Sequence, residues 1–402
     1  MNLKYFFIGL ILFALIGCDS DEAITIVEAP ITYDFQRAGV STVSFGGQTT
    51  RILMATELIG AMKNFENTNS DIQAMYANES SSGDNVDPFS NPALNASSKS
   101  IKSKVAASKD FFSSNTAQSA KIKADFETWI GAQVTEVFPN QDILAEPGIA
   151  GQIADGSSVR YVNSNGLEYN QAVNKALIGA LMVDQMLNNY LSTAVLDEAD
   201  NIANNDAGIT ASDKSYTTME HKWDEAYGYL FGMSTDPSNP LANLGEDAFL
   251  NKYLSRVEGD SDFTGIAQNI YDALKLGRAA IVAGDYKVRD EQANIVKELI
   301  SKVVAVRSVY YLQQGKNAIP SSGTDFGGAF HDLSEGFGFV YSLRFLRKPN
   351  SNDPYFSHSE VDSFISQLTA GNGFWDISPS TLDDIANSIS EKFDFTTAEA
   401  GQ

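Results

Sequence analysis

Two short segments of the chain carry the same arrangement of a histidine and a glutamate. His221-Lys-Trp-Asp-Glu225 precedes Ala-Tyr-Gly-Tyr-Leu-Phe, and His331-Asp-Leu-Ser-Glu335 precedes Gly-Phe-Gly-Phe-Val-Tyr. Three residues separate His from Glu in each copy, so both side chains lie on one face of a helix. Because the chain has only three histidines, these two copies are the first candidates for chemistry.

A neutral imidazole and a carboxylate one helical turn apart can bind the same cation. Two facing helices would supply four ligands of a kind that suits iron or zinc. The sequence therefore predicts His221, Glu225, His331 and Glu335 as metal ligands, with iron or zinc as the metal. It predicts no catalytic residue, because the His-Glu-x-x-His pattern of zinc proteases and the Gly-x-Ser-x-Gly elbow of serine hydrolases are both missing.

The aromatic residues after each pair support a second interpretation. Tyr227-Gly228-Tyr229 and Phe337-Gly338-Phe339 occupy matching positions. Glycine costs about 1 kcal/mol in a helix relative to alanine, so its presence at both positions indicates that two backbones approach closely. In this interpretation each copy is a packing element, and its His/Glu pair is structural. The residues alone leave metal binding, packing and catalysis open.

Other polar residues in apolar surroundings are weaker candidates. Asp224, inside the first copy, and Arg51, at a helix start, are predicted to bind ligand. Arg278 and Arg307 lie within apolar helical stretches, and a buried arginine needs an acidic partner. Glu220 and Asp224 are available for that purpose.

The third histidine stands apart from the repeated pattern. His358 lies in Tyr-Phe-Ser-His358-Ser-Glu, near the start of a predicted helix. A surface position is expected for it.

Residues 1–18 read as a targeting segment. An apolar run leads to Leu15-Ile-Gly-Cys18, which resembles the bacterial lipoprotein box, and Cys18 is the only cysteine of the chain. Cys18 is therefore the predicted lipidation site, and the membrane is a partner through this anchor. Residues 19–30 form a flexible tether, whose first residues, Asp-Ser-Asp-Glu, are acidic. The expected location is the outer membrane, on the cell surface or the periplasmic face.

Charge excludes one class of partner. The formal net charge is −23 at pH 7, so a nucleic acid or another polyanion is repelled. Soluble cations and basic partners are favoured.

Hydrophobic spacing predicts an all-α fold. Val173, Leu177, Leu181 and Leu187 follow one helical stripe, and a long helix is predicted from Asp285 to Leu312. Strand-like alternation is nearly absent, and the segment at 159–162 is either a short strand or extended chain. The expected architecture is two packed helical bundles related by internal duplication, with residues 31–210 as the first half and 211–402 as the second.

Three segments resemble a known but uncharacterised lipoprotein family of Bacteroidota: Gly47-Gln-Thr-Thr-Arg51, the stretch from Met219 to Gly228, and the stretch from His331 to Phe339. Its architecture is similar to that of the imelysin-like group, two helical bundles related by duplication and associated with iron or haem uptake. The imelysin hallmark is Gly-x-His-x-x-Glu, one residue shorter between His and Glu than the pattern here.

The activity of the family is not established. From the residues, together with the association of the imelysin-like group with iron or haem uptake, we expect a non-catalytic protein that binds a metal ion or a metal-bearing ligand in support of an outer-membrane uptake system. Two alternatives remain. One is a metallohydrolase of the imelysin type, and the other is a scaffold or adhesion protein at the cell surface.

Overall fold

The computed structural model describes residues 27–321, 325–351 and 353–402, and helices dominate it. The α-helices of this described part are α1 (Gly46–Ala61), α2 (Asn69–Ala77), α3 (Pro92–Asn95), α4 (Lys109–Phe112), α5 (Thr116–Ala132), α6 (Tyr169–Leu177), α7 (Thr193–Leu196), α8 (Asn201–Asp206), α9 (Thr218–Phe231), α10 (Leu250–Glu258), α11 (Ile266–Ala283), α12 (Tyr286–Ala318), α13 (Gly327–Ser342), α14 (His358–Leu368), α15 (Pro379–Ser390) and α16 (Thr397–Ala400). The prediction of an all-α fold is confirmed.

Two small antiparallel hairpins are the strands of the described chain. The first joins β1 (Gln36–Arg37) to β2 (Val40–Ser41), and the second joins β3 (Gly151–Asp155) to β4 (Ser158–Val162). Residues 159–162, which the sequence left open as a short strand or extended chain, lie in strand β4. Its partner strand, β3, was not predicted.

The helices that carry the repeated pattern begin differently. Helix α9 begins at a capping box. The side chain of Thr217 accepts a hydrogen bond from the backbone amide of Glu220, and the side chain of Glu220 accepts one from the backbone amide of Thr217. Two backbone donors that the helix itself leaves unpaired are thereby satisfied. Helix α13 has no side-chain cap. Its neighbours, rather than a local capping signal, therefore fix where it begins.

The segment that contains α6 is buried on every side. From Ala172 to Ser192 every residue is buried, although the sequence predicted only one apolar stripe. After Leu177 the helix widens into two π-helical segments, Ile178–Val183 and Met186–Tyr190. A helix enclosed all round is typical of the centre of a large protein.

One core includes residues from both predicted halves. Helix α13 packs against α6 and α12, and α12 also packs against α11. Leu181, Val303 and Phe339 belong to the same buried apolar cluster. The boundary at residue 210 and the internal duplication remain predictions. In the described part of the chain, no helix is long and apolar enough to cross a membrane.

The paired glycines confirm the close approach that the sequence predicted. A Cβ atom added to Gly338 would lie 2.5 Å from Cβ of Lys175 on α6, and one added to Gly228 would lie 2.3 Å from Cβ of Phe45. Neither position has room for a side chain. Each copy of the pattern is thus a packing element, whatever else its His/Glu pair does.

Candidate functional site

The first His/Glu pair lies on α9, and both side chains are hydrogen-bonded to other residues of the chain. Nδ1 of His221 lies 2.9 Å from the carbonyl oxygen of Ser44, and its ring stacks on Tyr216. Glu225 accepts hydrogen bonds from Gln48 and Lys222, both at 2.9 Å. Burial lowers the pKa of His221. The imidazole is therefore neutral at pH 7, and Nδ1 donates to the carbonyl.

Asp224 and Glu220, on the inner face of α9, form a buried ion-pair cluster with Arg278 of α11. Nε of Arg278 lies 3.0 Å from Oδ1 of Asp224, and Nη1 lies 3.1 Å from Oε1 of Glu220. The side chains of Asp224 and Arg278 are fully buried. The prediction that Glu220 or Asp224 would partner Arg278 is confirmed for both.

The cluster also holds an N-terminal strap, residues 33–44, against α9 and α11. The Tyr33 hydroxyl donates to Asp224 at 2.8 Å, and Arg37 makes two hydrogen bonds of 3.0 Å to Glu220. The amide of Ser44 donates to the second oxygen of Asp224 at 3.1 Å. Both oxygens of Asp224, a predicted ligand-binding residue, are thus used within the protein.

The second pair, on α13, has a different environment. Nδ1 of His331 lies 2.9 Å from Oε1 of Glu168, the residue before α6. Nε2 of His331 lies 3.7 Å from Oε1 of Glu335. That same oxygen is 3.1 Å from the ammonium group of Lys175, and the Tyr253 hydroxyl donates to the other oxygen at 3.3 Å.

These contacts set the charge states of the second pair. Burial lowers the pKa of His331, but the hydrogen bond and negative charge of Glu168 outweigh burial, so the pKa is raised overall. Burial raises the pKa of Glu335, but the charges of Lys175 and His331, together with hydrogen bonds to the carboxylate, outweigh burial, so this pKa is lowered overall. Glu335 is ionised at pH 7, and His331 holds a proton more readily than a free histidine.

His331 and Glu335 line an open cleft of about 640 Å³ together with Asp332. Polar and aromatic residues of α10 and α12 also line the cleft: Lys252, Arg256, Arg307, Tyr310 and Tyr311. Burial raises the pKa of Asp332 to about 6. Such a cleft offers both charge signs and flat aromatic surfaces to a small polar molecule.

The structure does not join the two pairs into one site. His221 and Glu225 bond to residues of α9 and of the segment around α1, whereas His331 and Glu335 bond to α6, α10 and the residue before α6. No hydrogen bond, ion pair or ring contact links one pair to the other in the described residues. Their chemistry must therefore be considered separately.

Neither pair has the donor set of a bare metal ion. Zinc and iron sites use three or four ligands at about 2.0–2.3 Å. Across the ranges that the structure describes, no group of three or more His, Cys, Asp or Glu residues is arranged to hold an ion. At the second pair, the ammonium group of Lys175 already forms an ion pair with the carboxylate of Glu335. A metal there would have to displace Lys175 or arrive with ligands of its own.

Arg51 and His358 lie away from the cleft. Nε of Arg51 donates to the Ser100 carbonyl and Nη1 to the Gly47 carbonyl; ligand binding by Arg51 remains a prediction. Helix α1 begins at Gly46, earlier than predicted. The surface position predicted for His358 is wrong: its ring stacks on Phe111, and both ring nitrogens are buried without a partner. Burial lowers the pKa of His358 to about 4.

Sequence reasoning missed several residues of the second environment. Lys175 had a usable signal, because it is a lone cation in the apolar run from Val173 to Val183, and a buried ammonium requires an acidic partner. Glu168 and Tyr253 had none. Glu168 is 163 positions from His331, and no local pattern encodes a contact at that separation.

The described residues form a helical fold with an open polar cleft beside the second His/Glu pair. A family model described as a domain of unknown function (DUF4856) matches residues 30–396. The chain belongs to this family. No curated protein and no solved structure matches the chain. The match confirms the expectation of an uncharacterised family; the lipoprotein character and the imelysin-like relationship remain predictions.

Proposed function

We propose that this chain is a lipid-anchored, extracytoplasmic protein that binds a small metal-bearing ligand, without catalysis, in support of an outer-membrane uptake system. The observation that carries the proposal is the placement of the second His/Glu pair in the wall of an open polar cleft. The first pair is enclosed by protein partners.

The orientation of His331 supports a role in ligand contact. Glu168 holds Nδ1 at 2.9 Å, which leaves Nε2 as the nitrogen on the side of Glu335. A carboxylate on the far nitrogen of a histidine is a common support for a metal-ligating imidazole. A metal that arrives in an organic complex already has most of its ligands, so one histidine can complete its coordination.

The anchor forms the second part of the proposal. The predicted lipidation site, Cys18, lies outside the described residues, as does most of the tether. The lipoprotein-box sequence supports anchoring through this cysteine. Replacement of Cys18 by Ser should release the protein from the membrane fraction.

Elemental analysis tests the metal-binding part. The purified protein is incubated with ferric citrate, desalted and analysed for iron. We expect about one equivalent of metal in the wild type, and its loss in His331→Ala. His221→Ala is the matched control, since it changes the same position of the other copy and should retain the metal.

Two results would count against the proposal. Metal well below one equivalent in the wild type, unchanged by His331→Ala, would rule out a metal-bearing ligand at this cleft. Hydrolysis of peptides that depends on His331 would replace the binding function with that of a metallohydrolase.

A further inference from the structure

Two buried arginines both need an acidic partner, but only one of them has a carboxylate in direct contact among the described residues. Arg278 is paired with Asp224 and Glu220. Arg307 of α12 is only 6% exposed, yet no carboxylate of the described residues lies within 4 Å of it. Its Nε is buried and has no hydrogen-bond acceptor. A buried charge without a carboxylate in direct contact is costly, so this position calls for an explanation.

Aromatic rings fix the plane of the Arg307 guanidinium. Its central carbon lies 3.8 Å from the ring centre of Tyr310, 4.6 Å from that of Tyr311 and 5.6 Å from that of Tyr253. Such stacking offsets part of the cost of burial but supplies no negative charge. It holds a planar fork of donors ready in a wall of the cleft, a geometry that suits the two oxygens of a carboxylate or phosphate.

Two more cations reach the same cleft from α10. Lys252 and Arg256 are one helical turn apart and both line the cavity. As with Arg307, no carboxylate lies within 4 Å of either one in the part of the chain that is described. The protein has 51 acidic against 28 basic residues, yet three cations of this one cleft have no carboxylate within 4 Å among the described residues.

The carboxylates of the cleft do not cancel these charges. Glu335 is neutralised by Lys175 at 3.1 Å, which leaves Asp260 and Asp332 as the other acidic residues of the wall. Three cations, Lys252, Arg256 and Arg307, stand against these two carboxylates in the wall. The cleft is therefore locally positive in a strongly negative protein.

We propose that this cleft binds the oxyanion of a small ligand, a carboxylate or a phosphate, with Arg307 as the central contact and Lys252 and Arg256 at the rim. The inference rests on the proposed function, since it names the chemical class of the ligand of the same site. If the ligand carries a metal, the inference identifies it as a complex of that metal with an organic acid.

Calorimetric titration of the purified protein tests the proposal with three probes: citrate, inorganic phosphate and the uncharged polyol sorbitol. We expect one of the two anions to bind and sorbitol not to bind. Citrate without phosphate identifies a carboxylate ligand, and phosphate without citrate identifies a phosphate ligand.

Variants then locate the bound anion. The double variant Lys252→Gln/Arg256→Gln changes residues at the rim and should fold; its affinity should fall roughly tenfold or more, because hydrogen bonds to charged groups are lost. Lys63→Gln/Lys287→Gln removes the same charge at exposed positions elsewhere and should stay within about twofold of the wild type. Arg307→Lys, which keeps the charge but loses the planar fork, should weaken binding as well.

The contrary results separate the two proposals. Equal losses in both double variants would overturn the oxyanion site, because net charge alone would explain them. So would a wild type that binds neither anion. If His331-dependent metal is nevertheless retained in that case, the proposed function stands and only the ligand class is wrong. If metal is also absent, both proposals fall.

Discussion

At the scale of single residues, the three histidines show how environment divides one residue type into three chemical states. His331 bonds to the carboxylate of Glu168, His221 to the carbonyl of Ser44, and His358 to no acceptor or donor in the described chain. Only the first partner is negatively charged. The pKa of His331 is accordingly raised, whereas burial lowers the pKa of the other two.

A proton NMR titration of the histidine rings should resolve this order. We expect His331 to titrate above the ordinary value of about 6.5, His221 below it and His358 at about 4. Glu168→Gln should lower the pKa of His331 and leave His358 unchanged. An unchanged His331 in that variant would show that the Glu168 contact does not control its proton.

The same shifts fix the sign of the pH dependence of stability. A raised pKa in the folded state means that the His331–Glu168 contact stabilises fully below about pH 6.5 and is lost as pH rises through the folded pKa. His358 acts in the opposite direction: its lowered pKa costs stability as pH falls from about 6.5 toward 4. The free energy of unfolding, measured in urea, should be lower in Glu168→Gln than in the wild type, with the largest difference near pH 6 and the smallest at about pH 9.

At the scale of elements, the glycine of each copy decides how near two helices come. Gly338 lets α13 contact the backbone of α6, where Ala172 O would lie 2.8 Å from an added Cβ. This contact places His331 beside Glu168 and Glu335 beside Lys175. The packing interpretation and the site interpretation of the repeated pattern are therefore connected, because the glycine positions the pair.

Gly338→Ala should destabilise the protein by about 1–3 kcal/mol, the usual cost of overpacking, although alanine is the better helix former. Gly60→Ala is the matched control, because Gly60 lies in α1 with nothing within 4 Å of an added Cβ; it should stabilise by about 0.5–1 kcal/mol. If both variants raised the free energy of unfolding in urea by the same amount, α13 and α6 would not be in close contact.

At the scale of the whole molecule, the core connects the two predicted halves. Helix α6, from the first half, packs against α13 of the second half. We expect a fragment of residues 211–402 to lack cooperative unfolding, because it would expose the face of α13 that α6 covers. A sharp thermal transition of that fragment, followed by circular dichroism, would instead support independent halves.

The sequence predicted the parts of this molecule that leave a local signal. Helical stripes such as Val173 to Leu187, and arginines in apolar runs such as Arg278, follow from burial and spacing. The π-helical segments after Leu177 could not be predicted, because neighbours on all sides impose them. The Glu168–His331 contact was also out of reach, since it depends on how two distant helices pack.

The strap of residues 33–44 has a mechanical consequence. If the chain is attached to a membrane through Cys18, any pull on that attachment enters the globular part near Tyr33. The load then falls on several bonds at once, from Tyr33 to Asp224, from Arg37 to Glu220 and from Ser44 to Asp224. Because these hydrogen bonds end on buried side chains of α9, the strap anchors the N-terminal segment to the core. We therefore expect these bonds to resist a pull before the helices behind them move.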